Sequence, residues 1–115
     1  MTTLAKIDRE TLVHAFREAA AAALAADPGP AADGGTCNFD TPVIQFLGIR
    51  ETFVRECAAA AGIEASPFDW LGGRRFFFIF VPLHGQANRL SIMAEAACRR
   101  LKALGLPAGM YCQAD

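Results

Sequence analysis

Gly72-Gly73-Arg74-Arg75-Phe76-Phe77-Phe78-Ile79-Phe80-Val81-Pro82-Leu83 decides how this chain folds. Arg75 to Leu83 reads as a β-strand, because aromatic and β-branched side chains suit extended backbone. Side chains alternate along a strand, so Phe76, Phe78 and Phe80 share one face and Arg75, Phe77, Ile79 and Val81 the other. Both faces are mostly apolar. A strand covered on both sides belongs in the middle of a sheet. Gly72-Gly73 just before it reads as a two-residue hairpin turn, joining it to a short strand at Pro67 to Leu71.

Working outward, Gly85-Gln86-Ala87-Asn88 opens a helix from about Asn88 to Leu104. Leu90, Met93, Ala94, Ala97, Leu101 and Leu104 form one apolar face along it. Gly105-Leu106-Pro107 closes it, and Ala108 to Gln113 is a last strand. On the other side of the hairpin, a helix from Arg50 to Ala61 carries Val54, Cys57, Ala58 and Ala61 on one face. Gly62 followed by Ile63 is a glycine cap with an apolar clamp. Thr36 to Phe46 is the first strand. A helix over residues 8–26 precedes it, with Asp8 as N-cap and Ile7 placed to staple onto Leu12. Its stripe is Leu12, Phe16, Ala19 or Ala20, and Ala23; Asp27-Pro28-Gly29-Pro30 stops it.

After the first helix the order is strand, helix, strand, strand, helix, strand, the ferredoxin-like split β-α-β pattern. The expected fold class is therefore α+β, with a four-stranded, mostly antiparallel sheet preceded by an N-terminal helix, all in one domain over residues 1–115. The first and third strands should be central and the last should pair with the first. Two helices cover one face. The first helix, or a second copy of the chain in a homodimer, must cover the other, so that Phe77 and Ile79 are not left wet.

Composition narrows the function classes. Of 115 residues 53% are hydrophobic and 20% charged, which excludes disorder. The net charge of −1 lacks the basic excess that phosphate neutralisation demands, which argues against direct nucleic-acid binding. The longest apolar run, Phe76 to Leu83, is too short to span a membrane. The start, Met1-Thr2-Thr3-Leu4, has no signal-peptide pattern, so a cytoplasmic, reduced protein is expected. Cys37, Cys57, Cys98 and Cys112 show no Cys-x-x-Cys spacing, so a zinc site is not expected; Asp33 and Asp40 around a Gly-Gly turn fall short of a calcium loop, and no metal or cofactor is expected. Cys57 and Cys98 fall on apolar helix stripes as core fillers.

The chemistry concentrates in Asp33-Gly34-Gly35-Thr36-Cys37-Asn38-Phe39-Asp40. Its glycine pair permits a tight turn. Beyond it Thr36, Asn38 and Asp40 form a polar row, and Cys37, Phe39, Thr41 and Val43 the opposite row. Pairing of the first and last strands brings Asp33, Thr36, Asn38 and Asp40 beside Tyr111, Gln113 and Asp115. Donors, acceptors and one ring make this a recognition surface. A nucleophilic cysteine at 37 or 112 would need a nearby base. The imidazoles, His14 and His84, fall elsewhere in this arrangement. Gln86, Asn88 and Arg89 at a helix start offer a second binding position, for a phosphorylated ligand drawn by free amides and positive charge; Asn88 also reads as the N-cap of that helix.

Arg74-Arg75-Phe76-Phe77-Phe78-Ile79 is similar to the aromatic motif of RNA-recognition domains. Arg75 and Phe77 occupy its small positions, and the aromatics read as core. Taken together, the motif at 33–40, Gly85-Gln86 with Asn88-Arg89, Met93-Ala94-Glu95-Ala96 and Tyr111-Cys112-Gln113-Ala114-Asp115 resemble a group of short phage and prophage proteins over most of residues 16–115. That resemblance implies a setting in which small proteins act against host defence. The function expected from it is a non-catalytic binding protein, most concretely an anti-CRISPR-like counter-defence inhibitor with a host or phage protein partner. Two alternatives are a binder or sponge for a phosphorylated or nucleotide ligand, and a cysteine-dependent enzyme.

Overall fold

The structure is a computed structural model, and it describes residues 7–30, 38–46, 48–70, 73–80 and 87–114. The elements are α1 (Arg9–Ala25), β1 (Asn38–Gln45), α2 (Glu51–Ala60), β2 (Glu64–Trp70), β3 (Gly73–Phe80), α3 (Ala87–Ala103) and β4 (Ala108–Ala114). The strands form one sheet in the order β2-β3-β1-β4, with each neighbouring pair antiparallel. The fold is α+β, and β3 is central as its two apolar faces require.

The local signals set the helix ends. Asp8 Oδ1 accepts from the Thr11 amide at 2.7 Å and caps α1, while Ile7 packs against the core. At the end of α2, Gly62 takes φ of 80°, Ile63 N–H donates to Ala58 O at 3.0 Å and Gly62 N–H to Ala59 O at 3.0 Å. Gly105 repeats this after α3 with φ of 89°, Leu106 bonding back to Leu101 and Gly105 to Lys102. Both are Schellman caps, in which a positive-φ glycine reverses the chain and the next apolar residue clamps it.

Several boundaries move. β2 begins at Glu64, not Pro67, because pairing with β3 runs from Glu64 opposite Phe80 to Trp70 opposite Gly73. Pro67 is tolerated there since β2 is an edge strand. Gly73 is itself paired, opposite Trp70, so it belongs to β3 and not to the turn expected at Gly72-Gly73; residues 71–72 lie outside the described residues. α3 starts at Ala87, which puts Asn88 inside its first turn and removes it as the N-cap.

The larger correction concerns the layers. α1 packs along α3 and touches α2, so it lies on the helix side and not across the opposite face of the sheet. Phe16 of α1 meets Phe46 edge-on with ring centres 6.4 Å apart, and Phe46 meets Phe77 at 5.6 Å. Phe77 and Ile79 are therefore buried beneath the helices with Ile44, Ala65, Val54 and Met93. The opposite face carries Phe76, Phe78 and Phe80 with Phe68 and Tyr111. Phe68 and Phe78 stack in parallel at 3.7 Å, and Tyr111 stands edge-on to Phe78 at 5.2 Å and to Phe68 at 5.9 Å. Phe68 and Tyr111 stand on the two edge strands, and between them Thr41, opposite Tyr111, and Val43, opposite Phe78, are only 1% and 2% exposed.

Proline at 42 in the interior strand β1 has no N–H for a ladder. The Thr41 hydroxyl stands in beside it, donating to Ile79 O of β3 at 3.1 Å.

Candidate functional site

The two polar segments singled out from sequence meet as expected. β1 pairs with β4 from Asn38 opposite Ala114, through Phe39 opposite Gln113 and Asp40 opposite Cys112, to Thr41 opposite Tyr111. Asp33, Thr36, Gln86 and Asp115 lie outside the described residues, as do Cys37 and His84; Asn38 and Gln113 are placed by this register alone.

Asp40 departs from its expected place on a solvated row. It is 4% exposed and faces α3, because β1 turns Pro42 and Ile44 toward the helices and Asp40 lies in the same row. Ser91, in the second turn of α3, donates its hydroxyl to Asp40 Oδ2. Oδ1 is buried with no hydrogen-bond partner among the described residues. An isolated buried carboxylate oxygen is expensive, so a position like this persists only where something else requires it.

Arg89 is also differently engaged. Its Nε donates to Asp27 Oδ1 at 2.7 Å and its Nη2 to Asp27 Oδ2 at 2.9 Å, a bidentate fork tying the end of α1 to the start of α3. Asp27 Oδ1 further accepts from Gly29 N–H at 3.0 Å. The fork-on-carboxylate geometry is the strong form of this ion pair. An anion at the α3 start would meet a guanidinium already holding a carboxylate. Asn88 beside it is exposed. Tyr111 does not stand out as an isolated stacking ring; it is part of the aromatic layer.

Ser91 and Asp27 were not singled out from sequence. Ser91 interrupts the run Leu90-Ser91-Ile92-Met93, and a polar residue in such a run signals a buried partner. In the sequence Asp27 marks only a helix stop.

Elsewhere, Cys57 and Cys98 are buried, and burial raises both thiols above their ordinary range, away from the thiolate form that reacts. Among the described residues no three or more His, Cys, Asp and Glu side chains gather as a metal site, and no helix is long and apolar enough to cross a membrane. A shallow depression of about 230 Å³ beside the start of α2 is lined by Ile7, Gly48, Ile49, Arg50 and Phe53, none of them a residue of the polar pole. No protein-family model matches the chain, and no curated protein or solved structure matches it.

Proposed function

We propose that this chain is a small, non-catalytic binding protein of phage or mobile-element type, a counter-defence inhibitor that is anti-CRISPR-like in action. We read its fold as ferredoxin-like and its partner-binding surface as the pole where β1 begins and β4 ends. The observation that carries this reading is the β1–β4 register, which joins the polar segment ending at Asp40 to the one beginning at Tyr111. Asp40 lies beneath this pole, 4% exposed and bonded to Ser91 of α3, so its part in recognition is to hold the start of β1 in place and not to touch the partner. The phosphorylated-ligand reading is weaker, since its cation, Arg89, is forked onto Asp27.

The test is phage plating on a host with active CRISPR immunity, with and without the expressed protein. Wild type should restore plating; Asp40→Ala and Asn38→Ala should lose that effect while remaining folded. Cys37→Ser should stay active, because serine keeps the size and is a far poorer nucleophile. Plating restored by both the Asp40 and Asn38 variants would remove this pole from the mechanism, and loss with folded Cys37→Ser would favour thiol catalysis.

A further inference from the structure

We infer that the helix-free face of the sheet is a homodimer interface, covered by the same face of a second copy. Among the described residues no helix or strand lies over this face, because α1 packs with α3 and α2 on the opposite side. The rings of Phe68, Phe76, Phe78, Phe80 and Tyr111 roof Thr41 and Val43, but each keeps part of its own surface outward. Beside Val43 the layer stops. Gly109 pairs opposite Val43 and shares its face, and a Cβ built there would meet nothing within 4 Å.

The charge on this face selects the occupant. Of its described side chains, Glu64 is the charged one, exposed on edge strand β2, with Ser66, Gln45, Tyr111 and the buried Thr41 carrying the polar groups. An apolar, aromatic centre with polar groups at the rim is the anatomy of a protein interface. Its described side chains offer no cation to a phosphate backbone and the chain has no basic excess, so single-stranded nucleic acid fits poorly despite the rings. A second copy presents the same uncharged centre, and two-fold pairing brings like patches together without burying a charge.

The size is adequate. Strands of seven and eight residues at ~3.3 Å per residue and ~4.8 Å spacing give a face of roughly 25 by 19 Å. Two such faces cover about 1,000 Å² before side-chain relief is added, near the lower end of specific interfaces at ~1,200 Å².

The rival surface lies on the helices. Leu24 and Ile92, 48% and 39% exposed, stand at one level of the antiparallel α1–α3 pair, where Asp27 meets Arg89 and Glu18 meets Arg100 further along.

Light scattering on a sizing column and sedimentation velocity, over a concentration series, decide between these surfaces. Wild type should show twice the 12.3 kDa chain mass and fall toward that mass on dilution. Gly109→Glu adds a charge where the fold has room, and Ser66→Arg adds one elsewhere on the face. Both should halve the mass with an unchanged circular dichroism spectrum, while Ile92→Glu stays dimeric. Should Gly109→Glu fail to fold, Ser66→Arg decides alone. A wild-type monomer at every concentration overturns the proposal. So does a dimer that survives in the folded face variants, or one that dissociates only with Ile92→Glu.

Discussion

Asp40 and Arg89 show how much a single residue's role depends on its partner. Ser91→Ala would strip the donor from Asp40 Oδ2 and leave the whole carboxylate without a described partner. We expect it to lower unfolding free energy by about 1–3 kcal/mol, the usual cost of an orphaned buried group. Asp40→Asn removes the charge and keeps the shape, so it should match wild type in urea unfolding to within about 1 kcal/mol. A severe loss in Asp40→Asn would show that the carboxylate holds the fold together, and its retention would then need no binding role. For Arg89 the sequence suggests a dispensable first-turn cation, with a melting temperature unmoved by Arg89→Ala. The fork onto Asp27 reverses that expectation: Arg89→Ala should cost about 1.5–3 kcal/mol, as hydrogen bonds to charged groups do. Arg89→Lys should recover only part of it, because an ammonium cannot make the planar two-bond contact. Urea titration of the pair of variants checks both statements.

Among the elements, the helix ends are the most local part of the design. Gly62 and Gly105 both hold φ near 80–90°, and nothing crowds a Cβ at either position. Replacement by alanine therefore meets a backbone penalty and no clash. Each should lose about 1 kcal/mol, read as a lower melting temperature with an unchanged spectrum. The helix cysteines give a second element-level expectation. Burial raises the Cys57 and Cys98 thiols, so the folded state keeps its protons to higher pH than the unfolded chain. Their contribution to stability is complete below the unfolded thiol range and declines as pH rises through the folded values. Thiol reagents at neutral pH should label these two positions only on unfolding, which mass spectrometry of labelled peptides would reveal. Fast labelling of either in native conditions would place it outside the core.

At the scale of the molecule, α1 is held against α3 by ion pairs as well as by apolar contact. Arg100 donates to Glu18 at 2.6 Å and holds the Glu18 carboxyl below its ordinary value of 4.5. A depressed carboxyl stabilises the fold above its unfolded pKa, and that stabilisation is lost as pH falls through the folded value. The pair is partly exposed, so salt should weaken it. Wild type should therefore melt slightly above Glu18→Gln at pH 6, and the two should converge as the pH drops below about 4. A gap that does not narrow as the pH falls would mean that Glu18 acts through packing and not through charge.

Much of the architecture is legible in the chain because its causes are local. The Asp8 cap, the Gly62-Ile63 and Gly105-Leu106 closures and the period of α1 and α3 each rest on neighbours a few residues apart. The central place of β3 follows from a strand that is apolar on both sides. The β1–β4 pairing that joins the polar segments was likewise expected from the order of elements. Alternation, however, divides a strand into two rows without saying which row meets the helices. That choice is made by the shared register of β1 with β3 and β4, and it turned Asp40 inward and Thr41 toward the aromatic layer. The same holds for α1, whose stripe of Leu12, Phe16, Ala19 and Ala23 demanded burial but named no partner. Arg89 reaches Asp27 across 62 residues of sequence, and Ser91 reaches Asp40 across 51. Contacts at such separations exist only once the sheet has formed and α3 has packed on it, so a local pattern holds no record of them.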